Sequence, residues 1–185
     1  MRRMVVLVNG LPAAGKSTLA RPLAMALGLP LLSKDVIKET HADVLGADPP
    51  PGLTQRNWNR QLGTSASFTM WALLRDSAPG AVLESSWRAD VRQLVDSGLR
   101  DAGFTGAAEV WCEAPLPLLR KRFTQQWTSS HPIHGAAPDD AEWAQMVEHA
   151  EPLGLGRVLR VETSEAVDLA TVVEWCHAHA WATER

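Results

Sequence analysis

Tyrosine is absent from this chain, phenylalanine occurs three times and cysteine only twice. Cys112 and Cys176 stand far apart, with no C-x-x-C or Cys/His spacing, which excludes a disulfide framework or a zinc ribbon and fits a reducing, cytoplasmic setting. Long apolar runs are also missing. The apolar opening from Met4 to Val8 ends at Asn9-Gly10, too short for a signal-peptide core or a membrane span. A surplus of positive charge is lacking as well: 18 Lys and Arg against 21 Asp and Glu leave a formal charge of -3. No general basic field, and no Lys/Arg-rich tail, is there to hold nucleic acid or an anionic membrane. Neither an internal repeat nor a low-complexity tract is visible. What the chain does hold in excess is tryptophan, eight in 185 residues, a length that suits one domain over 1–185 with one complete core.

Strand and helix patterns alternate. Val5-Val6-Leu7-Val8 has no polar alternation, as expected for a strand covered on both faces of a parallel sheet. Leu19, Leu23 and Leu27 recur at helical spacing and Gly28 is a stop signal, predicting a helix over 16–27 that Pro22 should bend. Further strands are expected at 29–32, 81–84, 108–112 and 157–162. Helices are expected after Asp35, over 54–76 with Trp58, Leu62, Phe68, Ala72 and Leu73 near one face, over 91–102, after Pro115, near 139–147 and from Ser164 to Ala182. Residues 46–52, with three successive prolines, must be a loop, and the polar stretch 129–138 reads as a mobile connection. The alternation predicts an α/β domain with a five-stranded, mostly parallel sheet and helices on both faces.

Gly10-Leu11-Pro12-Ala13-Ala14-Gly15-Lys16-Ser17 fills the pattern G-x-x-x-x-G-K-[ST] between the first strand and the first helix. Two glycines allow a backbone path along which successive N–H groups point at phosphate oxygens. The helix N-terminus adds partial positive charge. The nucleotide-binding set is therefore Gly10, Ala13, Ala14, Gly15, Lys16, Ser17 and Thr18. Lys16 is placed for the β- and γ-phosphates, Ser17 for Mg²⁺ and Thr18 for the α-phosphate. ATP and GTP both satisfy this pattern.

Asp35 stands at the end of the second strand, on the sheet edge that carries the phosphate loop. There a carboxylate can accept the proton of an acceptor hydroxyl and orient its oxygen. The residue type also suits a helix N-cap. Lys38 lies three residues on, along the same helix face.

Asn9 to Thr18, followed by Ser33-Lys34-Asp35-Val36-Ile37-Lys38, resembles the P-loop kinase group that includes the kinase domain of polynucleotide kinase, zeta-toxin kinases, chloramphenicol phosphotransferase and related antibiotic phosphotransferases. The resemblance implies a P-loop NTPase fold with a helical lid over about 115–138 and an acceptor-binding helical insertion over about 40–78. It makes Asp35 the acceptor-activating base and Lys38 an acceptor contact. Ala81 to Arg88 resembles the group's third-strand segment, with Glu84 as an imperfect match to a metal-linked aspartate and Arg88 as an acceptor or phosphate contact. Leu119-Arg120-Lys121-Arg122-Phe123 resembles the lid helix, implying that Arg122 and Arg120 stabilise transition-state charge. A later lid arginine is replaced by the neighbourhood of Gln125 and Gln126, and His131-Pro132-Ile133-His134 keeps a histidine-containing lid segment.

Acceptor specificity is expected in the insertion, where Arg56, Trp58, Arg60 and Phe68, together with Trp87, offer aromatic and basic groups. A core stripe is the alternative for Phe68 and Trp71. The expected acceptor is a hydroxylated small molecule, with antibiotics of the capuramycin or chloramphenicol kind favoured by the resemblance. A polynucleotide, tRNA or metabolite kinase and a non-catalytic nucleotide switch remain alternatives, and the chain is expected to act as a monomer or homodimer. The overall negative charge speaks against the polynucleotide end kinase, and Asp35 with the arginine-bearing lid against the switch.

Overall fold

Val5 to Val8 fall in the middle of β1 (Arg3–Gly10), and every residue from Met4 to Gly10 is buried. In the computed structural model, which describes residues 3–182, this strand is the spine of the sheet; residues 1–2 and 183–185 of the expected 1–185 domain lie outside the described residues. Around it stand α1 (Lys16–Leu27), β2 (Leu31–Ser33), α2 (Lys34–Leu45), α3 (Gln55–Asp76), β3 (Gly80–Glu84), α4 (Arg92–Asp101), β4 (Ala108–Glu113), α5 (Leu116–Trp127), α6 (Asp140–Glu148), β5 (Val158–Glu162), α7 (Leu169–His179) and β6 (Trp181–Ala182). The five long-range strands are parallel in the order β2-β3-β1-β4-β5. β1 therefore sits where the order reverses, and its C-terminal end opens a crevice suited to a ligand.

Alternate residues of β1 feed two cores. Met4, Val6 and Val8 meet Leu19, Leu23 and Val172 beneath α1 and α7. Val5 and Leu7 meet Met70, Leu74, Val95 and Leu99 beneath α3 and α4. Strand periodicity of two places successive side chains on opposite faces, so both layers of helices are required to cover this one strand.

Several expectations change. The sheet has a sixth member: β6 pairs antiparallel with β1, Trp181 opposite Met4 and Ala182 opposite Arg3, below the point where β4 begins at Ala108. The last helix is correspondingly shorter than 164–182. It starts after Asp168, whose carboxylate accepts from the N–H groups of Ala170 and Thr171, and stops at His179 so that the chain can enter the sheet. α1 continues through Pro22 to Leu27 and closes on Gly28 in the left-handed conformation.

The buried face of α3 is Leu62, Ala66, Met70 and Leu74; of the expected face of Trp58, Leu62, Phe68, Ala72 and Leu73 only Leu62 belongs to it, and Phe68 is 70 % exposed. A long helix with mixed apolar residues offers two overlapping stripes, and the one that meets β1 and β3 wins. The stretch 129–138, expected to be mobile, is anchored by the 3-10 turn Pro132–His134, whose Ile133 is fully buried against Ala42 and Leu62.

Candidate functional site

The loop between β1 and α1 wraps as a cradle. Gly10 has φ 143° and Gly15 φ 76°, and Ala13, unusually for a residue with a β-carbon, has φ 63°. A β-carbon on Gly10 would stand 2.3 Å from the Cys112 carbonyl oxygen of β4. Glycine at that position is thus demanded by the neighbouring strand as well as by a phosphate's approach. Thr163, just past β5, supports the loop's far side: its hydroxyl bonds to the Ala14 carbonyl at 3.1 Å and the Glu113 carbonyl at 3.0 Å. Ala14 is buried, and Thr18 is exposed in the first turn of α1.

Asn9, fully buried, fixes the cradle's entry. Its Oδ1 accepts from the N–H of Gly10 at 2.8 Å and of Trp87 at 2.9 Å, and its Nδ2 donates to Glu109 at 2.8 Å. Glu109, also fully buried, accepts in addition from the N–H groups of Leu153 at 3.0 Å and Gly154 at 2.9 Å. A buried carboxylate is tolerable only with such a complement of donors. The network ties the phosphate loop to the β3–α4 connection and to the 153–154 turn. Sequence reading missed it; the one available signal was a charged residue at the second position of an otherwise apolar strand.

Lys16 is buried, with its ammonium donating to the Leu11 carbonyl at 2.8 Å. Burial lowers its pKa from the ordinary lysine value, and the nearby charges of Glu84 and Asp35 hold it partly up. Ser17 donates to Glu84 Oε1 at 3.1 Å, while Ser33 donates to the other carboxylate oxygen at 2.5 Å. The end of β3 thus brings a buried carboxylate to the P-loop hydroxyl. These hard oxygen donors fit Mg²⁺, which keeps most of its waters and takes one or two protein oxygens plus phosphate. Ser33, unassigned from sequence, is part of the set.

Asp35 does not cap its helix. Ser33 occupies the N-cap position of α2, and Asp35 lies in the first turn with its side chain 53 % exposed. Lys38 Nζ approaches Asp35 Oδ1 at 3.8 Å, donates to Asn59 Oδ1 at 3.2 Å and lies 3.0 Å from His134 Nδ1. An ammonium can only donate, so Nδ1 accepts and the imidazole proton sits on Nε2, which donates to Glu39 at 2.9 Å. His134 thus fastens the Pro132–His134 turn to α2 beside Asp35, and His131 adds a 3.1 Å contact to Asp43. Burial also lowers the pKa of Lys38, against the opposing effect of Asp35.

Two cavities meet at this point. One, of about 690 Å³, opens over the phosphate loop and includes Ala13, Lys16, Ser17, Glu84, Arg88 and Gln126 in its walls. The other, of about 800 Å³, is a trough between α3 and α4 with Arg60, Phe68, Trp71 and Trp87 among its walls. Asp35, Lys38, Arg56 and Asn59 line both. Trp71 and Trp87 stack at the trough floor, centroids 6.5 Å apart and 18° between planes. Gly98 of α4 permits this, because a β-carbon there would fall 2.3 Å from the Trp71 indole. Gly98→Ala gains roughly 1 kcal/mol in helix propensity but loses about 1–3 kcal/mol by overpacking. Overpacking is expected to win, lowering the melting temperature by about 2–4 °C in a thermal melt.

Other expected site residues are held elsewhere. Trp58 is not a cavity wall: its ring packs on the Ala42, Leu62 and Ile133 cluster and its Nε1 donates to the Gly46 carbonyl at 3.0 Å, fastening the 46–52 loop. Arg120 forms a 2.6 Å ion pair with Asp140 and lies over the Trp143 ring, so it braces α5 against α6. Arg122 donates to the Thr163 carbonyl at 3.1 Å. Neither lines the cavity over the phosphate loop, where the arginines are Arg56 and Arg88. Arg88 itself forms a two-point pair with Asp90 at 2.6 and 3.0 Å.

Comparison with known proteins agrees with this geometry. No curated protein matches the chain significantly. Among solved structures, a candidate kinase from Chloroflexus aurantiacus is 29% identical with a TM-score of 0.79, the alignment covering 97% of this chain and 99% of that one. Shikimate kinase from Acinetobacter baumannii, in complex with shikimate, is 16% identical with a TM-score of 0.57, over 95% and 90% of the two chains. The APS kinase CysC of Mycobacterium tuberculosis, in complex with AMPPNP and APS, is 18% identical with a TM-score of 0.56, over 96% and 95%. The fold is that of the P-loop kinases, and, with residues 5–153 matching the family's model, the chain belongs to the AAA domain family.

Proposed function

We propose that this protein is an ATP-dependent O-phosphotransferase that moves the γ-phosphate onto a hydroxyl of a small molecule. The observation that carries the reading is the position of Asp35, whose carboxylate lines both the cavity over Lys16 and Ser17 and the separate trough between α3 and α4. A nucleotide switch needs the first cavity and has no use for the second. The small-molecule kinases among the structural neighbours point the same way, since the shikimate and APS kinases share this chain's fold with their acceptors bound.

In this mechanism the cradle's N–H groups and the Lys16 ammonium hold the triphosphate, and Lys16 exchanges the Leu11 carbonyl for phosphate oxygen. Ser17 and Glu84 would hold Mg²⁺, which when bound offsets the charge on the β- and γ-phosphates. Asp35 accepts the acceptor's hydroxyl proton as the new O–P bond forms, the bond from the γ-phosphorus to the β–γ bridging oxygen breaks and ADP leaves. Lys38 holds Asp35 in place from the lid side, and Arg56 and Arg88 take the charge-stabilising role first expected of Arg120 and Arg122.

The volume and aromatic floor of the trough favour a ring-bearing acceptor larger than a simple sugar. Together with the resemblance in the phosphate loop and in Ser33 to Lys38, this supports an antibiotic acceptor of the capuramycin or chloramphenicol kind, whose phosphorylation would inactivate it. Incubation with ATP, Mg²⁺ and a panel of hydroxylated antibiotics and central metabolites, read by mass spectrometry, is expected to give an adduct of one phosphate on a panel antibiotic. Turnover of a metabolite alone would remove the antibiotic reading, and turnover of a 5'-hydroxyl oligonucleotide in preference to either would replace it with the end-kinase alternative. The free, buried Cys112 and Cys176 support a cytoplasmic reaction, and no helix among the described residues is long and apolar enough to cross a membrane.

A further inference from the structure

The trough carries more positive charge than its own carboxylates answer. Its basic residues are Lys34, Lys38, Arg56, Arg60 and Arg75, against Asp35 and Asp101. Three of the five already have partners: Lys38 faces Asp35 at 3.8 Å, Arg56 pairs with Glu142 at 3.5 Å and Arg75 with Asp76 at 3.5 Å. Lys34 and Arg60 have no carboxylate at ion-pair distance among the described residues. Lys34 is the first residue of α2 and Lys38 stands one turn further, so two ammonium groups share one helix face. Like charges at that spacing repel, and here they are partly removed from water. Burial lowers the pKa of both, and each lysine feels Asp35 as its restoring neighbour. Asp101, exposed at the C-terminal end of α4, is the other acidic wall residue.

We infer that the acceptor is an anion-bearing, ring-containing alcohol, its carboxylate or phosphate group held by Lys34 and Arg60 and its ring lying on Trp71 and Phe68. This rests on the phosphotransferase reading and replaces its antibiotic acceptor, since neither chloramphenicol nor capuramycin carries a carboxylate or phosphate: among ring-bearing alcohols, the trough selects those with a negative group placed away from the reacting hydroxyl. Arg60, exposed on α3, and Lys34, half-buried on α2, both line the trough, so its two cations without a carboxylate partner come from different helices. Phe68, although 70 % exposed, borders the trough about two helical turns along α3 from Arg60 and adds an apolar wall. An aromatic ring on indole with a charge-assisted contact at its rim combines the two interactions that such a wall provides.

The test uses a matched pair, 6-(hydroxymethyl)-2-naphthoate and its carboxamide, titrated calorimetrically into the full chain without nucleotide. The carboxylate is expected to bind at least about tenfold more tightly than the amide. Lys34→Gln and Arg60→Gln are each expected to remove most of that preference, and Lys34→Arg to keep it. Equal binding of the two probes, binding of neither, or a preference that survives both substitutions overturns the inference. Phosphate transfer from ATP to the bound naphthoate is followed separately by mass spectrometry. Charge-selective binding without any adduct counts against the phosphotransferase reading alone, whereas equal phosphorylation of acid and amide counts against the anion alone.

Discussion

Asp35→Asn is expected to lower kcat for phosphoryl transfer by about 100- to 10,000-fold, the range of a positioned general base. Nucleotide affinity is expected to stay within about threefold, since Asp35 bonds to no atom of the phosphate cradle; among the described residues its one ion-pair contact is Lys38 at 3.8 Å. Asparagine preserves volume and can still accept a hydrogen bond from the acceptor hydroxyl, so what it removes is the capacity to take the proton. Phosphoryl transfer passes through a loose transition state in which the acceptor's bond is little formed, and positioning supplies much of the catalysis. The loss in Asp35→Asn is therefore expected nearer the smaller end of that range, and Asp35→Ala, which removes positioning too, is expected to lose more. Single-turnover kinetics with saturating ATP, beside nucleotide titration of the same protein, would measure both quantities. Full activity in Asp35→Asn would end the assignment of Asp35 as the base.

How far the site was legible before any coordinates depended on whether the chemistry was local in sequence. The phosphate loop is one continuous segment, and its glycines, lysine and serine identify themselves by spacing alone. Asp35 and Lys38 were legible for a similar reason, one strand-end and one helical turn. Residues joined only through the fold were not. Asn9 and Glu109 are brought together across a hundred residues, and Glu109 then reaches the 153–154 turn. Thr163 reaches Ala14 from 149 residues away, and nothing in its own neighbourhood marks it.

The misreadings have a common cause as well. Trp58 has the residue type of a binding-pocket wall, but Ile133 of the Pro132–His134 turn offers its ring an apolar partner that no local pattern could announce. Arg120 and Arg122 lie on the expected lid helix, yet Asp140 and the Thr163 carbonyl compete for them. Arg56 and Arg88 are paired as well; what sets them apart is that they border the cavity over the phosphate loop. The end of the chain failed differently: helical composition continues past His179, and the unfilled edge of β1 below Ala108 draws Trp181 and Ala182 into the sheet.

Lys16→Met should affect binding and stability in opposite directions. Removal of the ammonium is expected to cost at least about tenfold in triphosphate affinity, from the loss of charge-assisted contacts, and to abolish measurable transfer. In the protein without nucleotide, however, the same ammonium is buried at a single carbonyl bond, and burial has lowered its pKa. The unfolded chain holds this proton up to an ordinary lysine pKa of about 10.4, whereas the folded chain releases it sooner. Between the two values the unfolded state binds more protons, so stability must rise as pH rises through the folded-state pKa. Triphosphate affinity should fall over the same interval, because binding requires the charged form. Glu84 and Asp35 oppose the shift from their side of the cavity, and Cys112, its own pKa pushed up to about 12, is a neutral thiol throughout most of this range. Thermal melts and nucleotide titrations from neutral to alkaline pH would therefore diverge in the native protein. In Lys16→Met both pH dependences from this residue should vanish, and a native protein whose affinity and stability moved together with pH would show that Lys16 is not the group that grips the triphosphate.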